Sequence, residues 1–169
     1  MTTVIVPVDF SETSLHAARY AAQLLTGHYG VTMILYHSYS KSSEAEKITS
    51  DLEALKALLM KDNIVKMEVL AHEESDFVDG LEKAARHRRA DLVIMGITGK
   101  SALAQVFFGS NTLKMAERKV CPVLIVPQDA VYRPLKNVML TSDFKNTVET
   151  TPSVPIKDFL DVFQPQLHV

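Results

Sequence analysis

Short, nearly unbroken apolar runs recur along the chain at residues 3–8, 31–37, 91–95 and 122–127. Such runs read as strands buried on both faces of a parallel sheet. A further run at 64–70 alternates, with Val65, Met67 and Val69 against Lys66 and Glu68, as an edge strand does. Between the runs the apolar period lengthens to that of a helix. After Asp9-Phe10-Ser11, one face carries Leu15, Ala18, Ala22 and Leu25, with Ser11 as a possible cap, and Gly27 and Gly30 end the segment. Residues 42–61 bury Ile48, Leu52, Leu55 and Leu59; residues 75–89 turn Phe77, Leu81 and Ala84 inward. Residues 111–118 form a last helix of this series, with Ser110 where an N-cap belongs and Lys114 and Arg118 toward its C-terminal end. The alternation βαβαβαβαβ predicts an α/β fold: a five-stranded parallel sheet with helices on both faces.

The pattern changes after Pro127. Residues 128–136 read as a linker, and 137–144 repeat an apolar strand that runs into Asp143-Phe144, as the first strand runs into Asp9-Phe10. Residues 155–163 then carry helical apolar spacing, with Ser153 as a possible cap, and 166–169 can begin another strand. The expected organisation is a domain at 1–127, a linker at 128–136 and an incomplete second repeat at 137–169.

Composition narrows the function classes. The chain has 169 residues, 47% hydrophobic and 22% charged, enough for a packed core. A net charge of −2 gives no basic surplus for nucleic acid or anionic lipid. A single cysteine, Cys121, excludes an internal disulfide framework and reads as a buried, inert thiol. No apolar run approaches the ~20 residues of a membrane span. No basic segment followed by an apolar one stands at the N-terminus, so a cytoplasmic protein is expected.

The most informative stretch is Gly96-Ile97-Thr98-Gly99-Lys100, followed by Gly109-Ser110-Asn111-Thr112. It lies between a strand and a helix. Glycine lets backbone N–H groups approach an anion, the helix start offers unpaired donors, and Lys100 adds positive charge. A P-loop would need glycine at position 94, where Ile94 stands, and a dinucleotide fingerprint would need glycines in Pro7-Val8-Asp9-Phe10-Ser11. The histidines show no zinc spacing. The acidic cluster Glu73, Glu74, Asp76 and Asp79 reads as a solvated helix start. Asp9, at a strand end, can accept hydrogen bonds from ribose hydroxyls or an adenine amino group, or can close an Asx-turn.

The spacing Gly, two residues, Gly, nine residues, Gly-Ser resembles the nucleotide-binding motif of the universal stress protein family, in its ATP-binding branch. The resemblance covers residues 2 to about 127. It implies a Rossmann-like sheet of order 3-2-1-4-5, whose switch between the first and fourth strands brings Asp9 and Gly96 together. It further implies that Asp9 contacts the nucleoside, with Pro7 and Val8 lining that wall, and that Met95 and Gly96 border the ribose or base. Gly99, Lys100, Gly109, Ser110, Asn111 and Thr112 would hold the phosphates of ATP, accompanied by Mg²⁺. Ser38 stands where the family places an apolar residue against adenine. His37 reads as structural. No nucleophile, base and orienting partner can be assigned from spacing, so at most weak hydrolysis is expected. The implied function is an ATP-binding regulatory module of the stress response. The alternative is a slow ATPase or nucleotidyl-transfer enzyme on the same fold. A homodimer is expected through the edge strand Val123-Leu124-Ile125-Val126.

Overall fold

A computed structural model describes residues 1–97, 110–142, 145 and 151–169. The chain divides into two compact units, Thr2–Tyr132 and Arg133–Val169.

In the larger unit the elements follow in the order β1 (Thr3–Pro7), α1 (Glu12–Leu25), β2 (Thr32–Tyr39), a single 3₁₀ turn (Ser42–Glu44), α2 (Ala45–Leu59), β3 (Lys66–Glu73), α3 (Phe77–His87), β4 (Leu92–Ile97), α4 (Ser110–Glu117) and β5 (Val123–Pro127). The five strands pair in parallel in the order β3-β2-β1-β4-β5, as expected. Pro7 and Pro127 close their strands, where a missing N–H costs least. Several boundaries differ from the sequence reading. β2 runs on through Ser38 and Tyr39, because β3 pairs with it up to Glu73. β3 itself begins two residues late. The segment at 42–61 opens with the 3₁₀ turn before the α-helix.

Local signals account for the helix ends. Ser11 caps α1, accepting from the Ser14 N–H at 3.3 Å, and Asp76 caps α3, accepting from the Asp79 N–H at 2.9 Å. Gly27 adopts φ 84°, open to glycine at little cost, and its N–H donates to the Ile64 carbonyl at 2.9 Å. α4 includes Ser110 as its first residue, so this serine lies inside the helix rather than before it. The acidic cluster is engaged by neighbours. Glu74 pairs with Lys83, Asp79 with Arg118 at 2.6 Å, and Glu73 accepts from Ser42 at 2.8 Å.

Both sheet faces are covered. One core cluster joins Ile5, Ile34, Tyr36, Val93 and Met95 to Leu81, Ala84 and Ala85 of α3 and Met115 of α4. α1 buries Ala17, Ala18, Ala21, Ala22, Leu24 and Leu25. At the amino ends of the strands, the Asp91 carboxylate accepts from the N–H groups of Thr2 at 2.6 Å and Thr3 at 2.9 Å, which fixes where β1 begins beside β4. Cys121 is half-buried, and burial, with the Asp91 charge adding, pushes its thiol up to about 11, so it stays protonated at neutral pH.

The register of β1 with its two neighbours is unequal. β1 keeps five residues in step with β2, from Thr3 opposite Thr32 to Pro7 opposite Tyr36. With β4 it keeps only two, Val4 opposite Leu92 and Ile5 opposite Val93. Beyond Ile5 the two central strands part, and a crevice opens at their carboxyl ends.

In the smaller unit, β6 (Asn137–Met139) and β7 (Gln166–His168) pair in parallel, joined through α5 (Ser153–Phe163). Ser153 is the first helical residue, not the cap, and Pro152 precedes it without a side-chain cap. Phe159 and Phe163 pack with ring centroids 4.7 Å apart. The echoed Asp143-Phe144 lies outside the described residues. No helix among the described residues is long and apolar enough to cross a membrane.

Candidate functional site

The crevice between β1 and β4 widens into a cavity of about 510 Å³. That is the size of a small-ligand site. Its walls are Pro7, Val8 and Asp9 from the end of β1, Ser11, Thr13 and Ser14 from the start of α1, and Ser38 from β2. Phe77 from α3, Met95, Gly96 and Ile97 from β4, and Asn111 and Thr112 from α4 complete it. Eight of the residues singled out in the sequence therefore meet here: Pro7, Val8, Asp9, Ser38, Met95, Gly96, Asn111 and Thr112. Gly99, Lys100 and Gly109 lie outside the described residues. Ser110 directly precedes the two α4 wall residues.

The turn from β1 into α1 is held by local hydrogen bonds. The Ser11 N–H and hydroxyl both donate to Asp9 Oδ1, at 3.0 and 2.5 Å, and the Asp9 N–H donates to Ser14 Oγ at 3.2 Å. Asp9 thus closes an Asx-turn and lines the cavity at once. Burial pushes its carboxyl up, but the Ser11 hydroxyl and N–H that donate to it, with the Ser14 hydroxyl close by, outweigh this and hold it below the ordinary carboxylate range. It is ionised at neutral pH. Between them, Phe10 adopts φ 63°, a left-handed conformation strained for a side chain of this size, and its ring packs on His37 at 5.5 Å. His37 Nδ1 lies 2.6 Å from the Val8 carbonyl, which can only accept, so this nitrogen carries the proton. His37 clamps the β1 end from β2, the structural role read from the sequence.

Gly96 has a more specific reason than contact with a ligand. A Cβ there would lie 2.5 Å from the Thr13 carbonyl oxygen and 2.8 Å from Thr13 Cγ2. Glycine is what lets the first turn of α1 reach β4. The consequence is chemical: the first turns of α1 and α4 both border the cavity. Two helix starts bring partial positive charge and first-turn N–H groups to one place, an environment suited to an anion.

The sequence reading missed Ser11, Thr13 and Ser14 as wall residues, as well as Phe77 and Ile97. Topology was the available signal for the first three, since every helix after a parallel strand starts at the carboxyl edge. The same signal applied to Phe77, the first residue of the helix after β3.

An open parallel sheet with a cavity at its switch point is the architecture in which proteins of the Rossmann-like class hold small ligands. Residues 1–127 match the model of the Universal stress protein family, and the chain belongs to that family. It is 28% identical over 134 residues to the universal stress protein in the QAH/OAS sulfhydrylase 3′ region of Thermus aquaticus, covering 73% of this chain and 97% of that one. Among solved structures, a universal stress protein in complex with cAMP is 26% identical, with a TM-score of 0.59 over 76% of this chain and 98% of that chain. A universal stress protein family protein from Arabidopsis thaliana with AMP bound has a TM-score of 0.57 at 16% identity, over 92% of this chain and 99% of that one, a likeness of fold.

Proposed function

We propose that the chain is a nucleotide-binding regulatory module of the stress response. It takes ATP in the cavity between β1 and β4 and changes conformation or assembly with occupancy. The observation that carries this reading is the convergence of Asp9, Gly96, Asn111 and Thr112 on one cavity faced by two helix starts. The cAMP bound by one family structure and the AMP bound by another support a nucleotide ligand. Asp9 would meet the nucleoside and the α4 start, Ser110 included, the phosphates, with Gly99, Lys100 and Gly109 contributing from the connecting stretch.

Asp9 is the cavity's one carboxylate among the described residues. No group of three His, Cys, Asp or Glu among them could hold a metal. Mg²⁺ would therefore arrive on the phosphates, which supply its oxygens and whose charge it shields.

In the same reading, residues 137–169 are an incomplete second repeat, since β6, α5 and β7 reproduce a parallel βαβ step. β5 is a sheet edge with Ile125 exposed, which suits it to pair with a second copy. The setting is the cytoplasm.

Mass spectrometry of nucleotide released from the purified protein tests the reading, followed by calorimetric titration with ATP, AMP and cAMP. An adenine nucleotide should co-purify or bind with saturation. Protein that carries none and gives no heat with any of the three would refute it.

A further inference from the structure

The cavity is chemically uneven. Its wall combines helix starts suited to phosphate with an aromatic ring, from Phe77, and a hydroxyl on β2, from Ser38. Phe77 is the sole aromatic side chain of the wall among the described residues. Its position is set from several directions. Asp76 caps α3, so Phe77 is the first helical residue at the carboxyl edge of the sheet. Its ring rests against Tyr36, centroids 6.4 Å apart and tilted 58°, and Tyr36 is fully buried. Tyr36 in turn can stand there because residue 80 of α3 is glycine: a Cβ at Gly80 would lie 2.6 Å from the phenol oxygen. Phe77 is therefore a wall with a buried backing. Ser38 stands two residues beyond Tyr36, on the same face of β2.

We infer that Phe77 and Ser38 determine base specificity, Phe77 by stacking on a planar heteroaromatic base and Ser38 by hydrogen bonding to the base edge. This rests on the nucleotide reading above and extends it. A ring face gives affinity for any base, because every base has a π-face. The hydroxyl can donate and accept, so it adds selectivity of edge to the stacking. Ser38 thus turns a wall that the family resemblance makes apolar into one that can read polar groups.

The test compares AMP with ribose 5-phosphate, which lacks the base, by calorimetry on the full chain and on the variants Phe77→Ala, Phe77→Leu and Ser38→Ala. Leucine keeps apolar bulk against Tyr36 but has no ring face, so it serves where alanine fails to fold. AMP affinity should fall about tenfold in Phe77→Leu. Ribose 5-phosphate affinity should stay within about twofold, and Ser38→Ala should narrow the preference among AMP, GMP and CMP. Equal loss for both ligands would show a merely structural Phe77, and unchanged AMP affinity would show a wall that the base never meets; either overturns the inference while the nucleotide reading stands. A wild-type protein that binds neither ligand would bring down that reading and the inference together.

Discussion

Gly96 and Thr13 approach so closely that a single methyl group on Gly96 would lie 2.5 Å from the Thr13 carbonyl oxygen. The atom in the way is backbone, held by the first turn of α1, so it cannot rotate aside. Gly96→Ala should push α1 away from β4, lowering stability by about 1–3 kcal/mol, as overpacking does, and weakening ligand binding with it. Gly30, where an added Cβ meets nothing within 4 Å, is the control. Gly30→Ala should stay within about 0.5 kcal/mol of wild type. Urea unfolding of the two variants checks both.

A second close approach joins α3 to β2. The Tyr36 hydroxyl is buried without a hydrogen-bond partner among the described residues. Burial pushes its phenol up to about 12; the Ser38 hydroxyl offsets part of this from outside hydrogen-bonding geometry, and the Glu74 charge adds to it. Tyr36→Phe removes an unsatisfied polar atom and should be neutral or stabilising by up to about 1 kcal/mol. Gly80→Ala should destabilise the protein despite the better helix propensity of alanine, because its Cβ meets that oxygen. The double variant should be more stable than the sum of the two single effects, measured as a double-mutant cycle in urea.

The fold was legible because its signals are local and repeated. Apolar runs of strand length alternating with helical spacing leave few topologies. Ser11 and Pro7 mark boundaries by their own chemistry. The site was legible in part. Asp9, Gly96, Asn111 and Thr112 stood out by residue type beside a strand end. Phe77 did not, since a helical apolar period treats a core residue and a cavity wall alike. Ser14 was equally hidden, being buried on α1 while bonded to the turn that shapes the site. Gly96 stood out as part of a glycine pattern, but its need for a missing side chain comes from Thr13, and no local pattern announces that contact.

Acid should loosen the amino edge of the sheet through Asp91. Burial pushes its carboxyl up, but hydrogen bonds from Thr2 and Thr3 outweigh this and hold it below the ordinary range. A depressed carboxylate stabilises the fold fully above its unfolded value near pH 4, and that contribution fades as pH falls through the folded value. Asp91→Asn should therefore melt roughly 3 °C below wild type at pH 7, and the gap should narrow below about pH 4. A gap that widened on acidification would show that the carboxylate does not anchor the start of β1.

The central claim is that the cavity where β1 and β4 part is the nucleotide site. The most direct measurement follows the methyl groups of the methionines by NMR while ATP, AMP and cAMP are added to the full chain. Met95 lines the cavity, whereas Met33 is buried opposite Val4, toward the other end of the strands. The account predicts a saturable shift of the Met95 methyl signal with at least one of these nucleotides while Met33 stays in place. A Met95 signal unmoved at saturating concentrations of all three would contradict it.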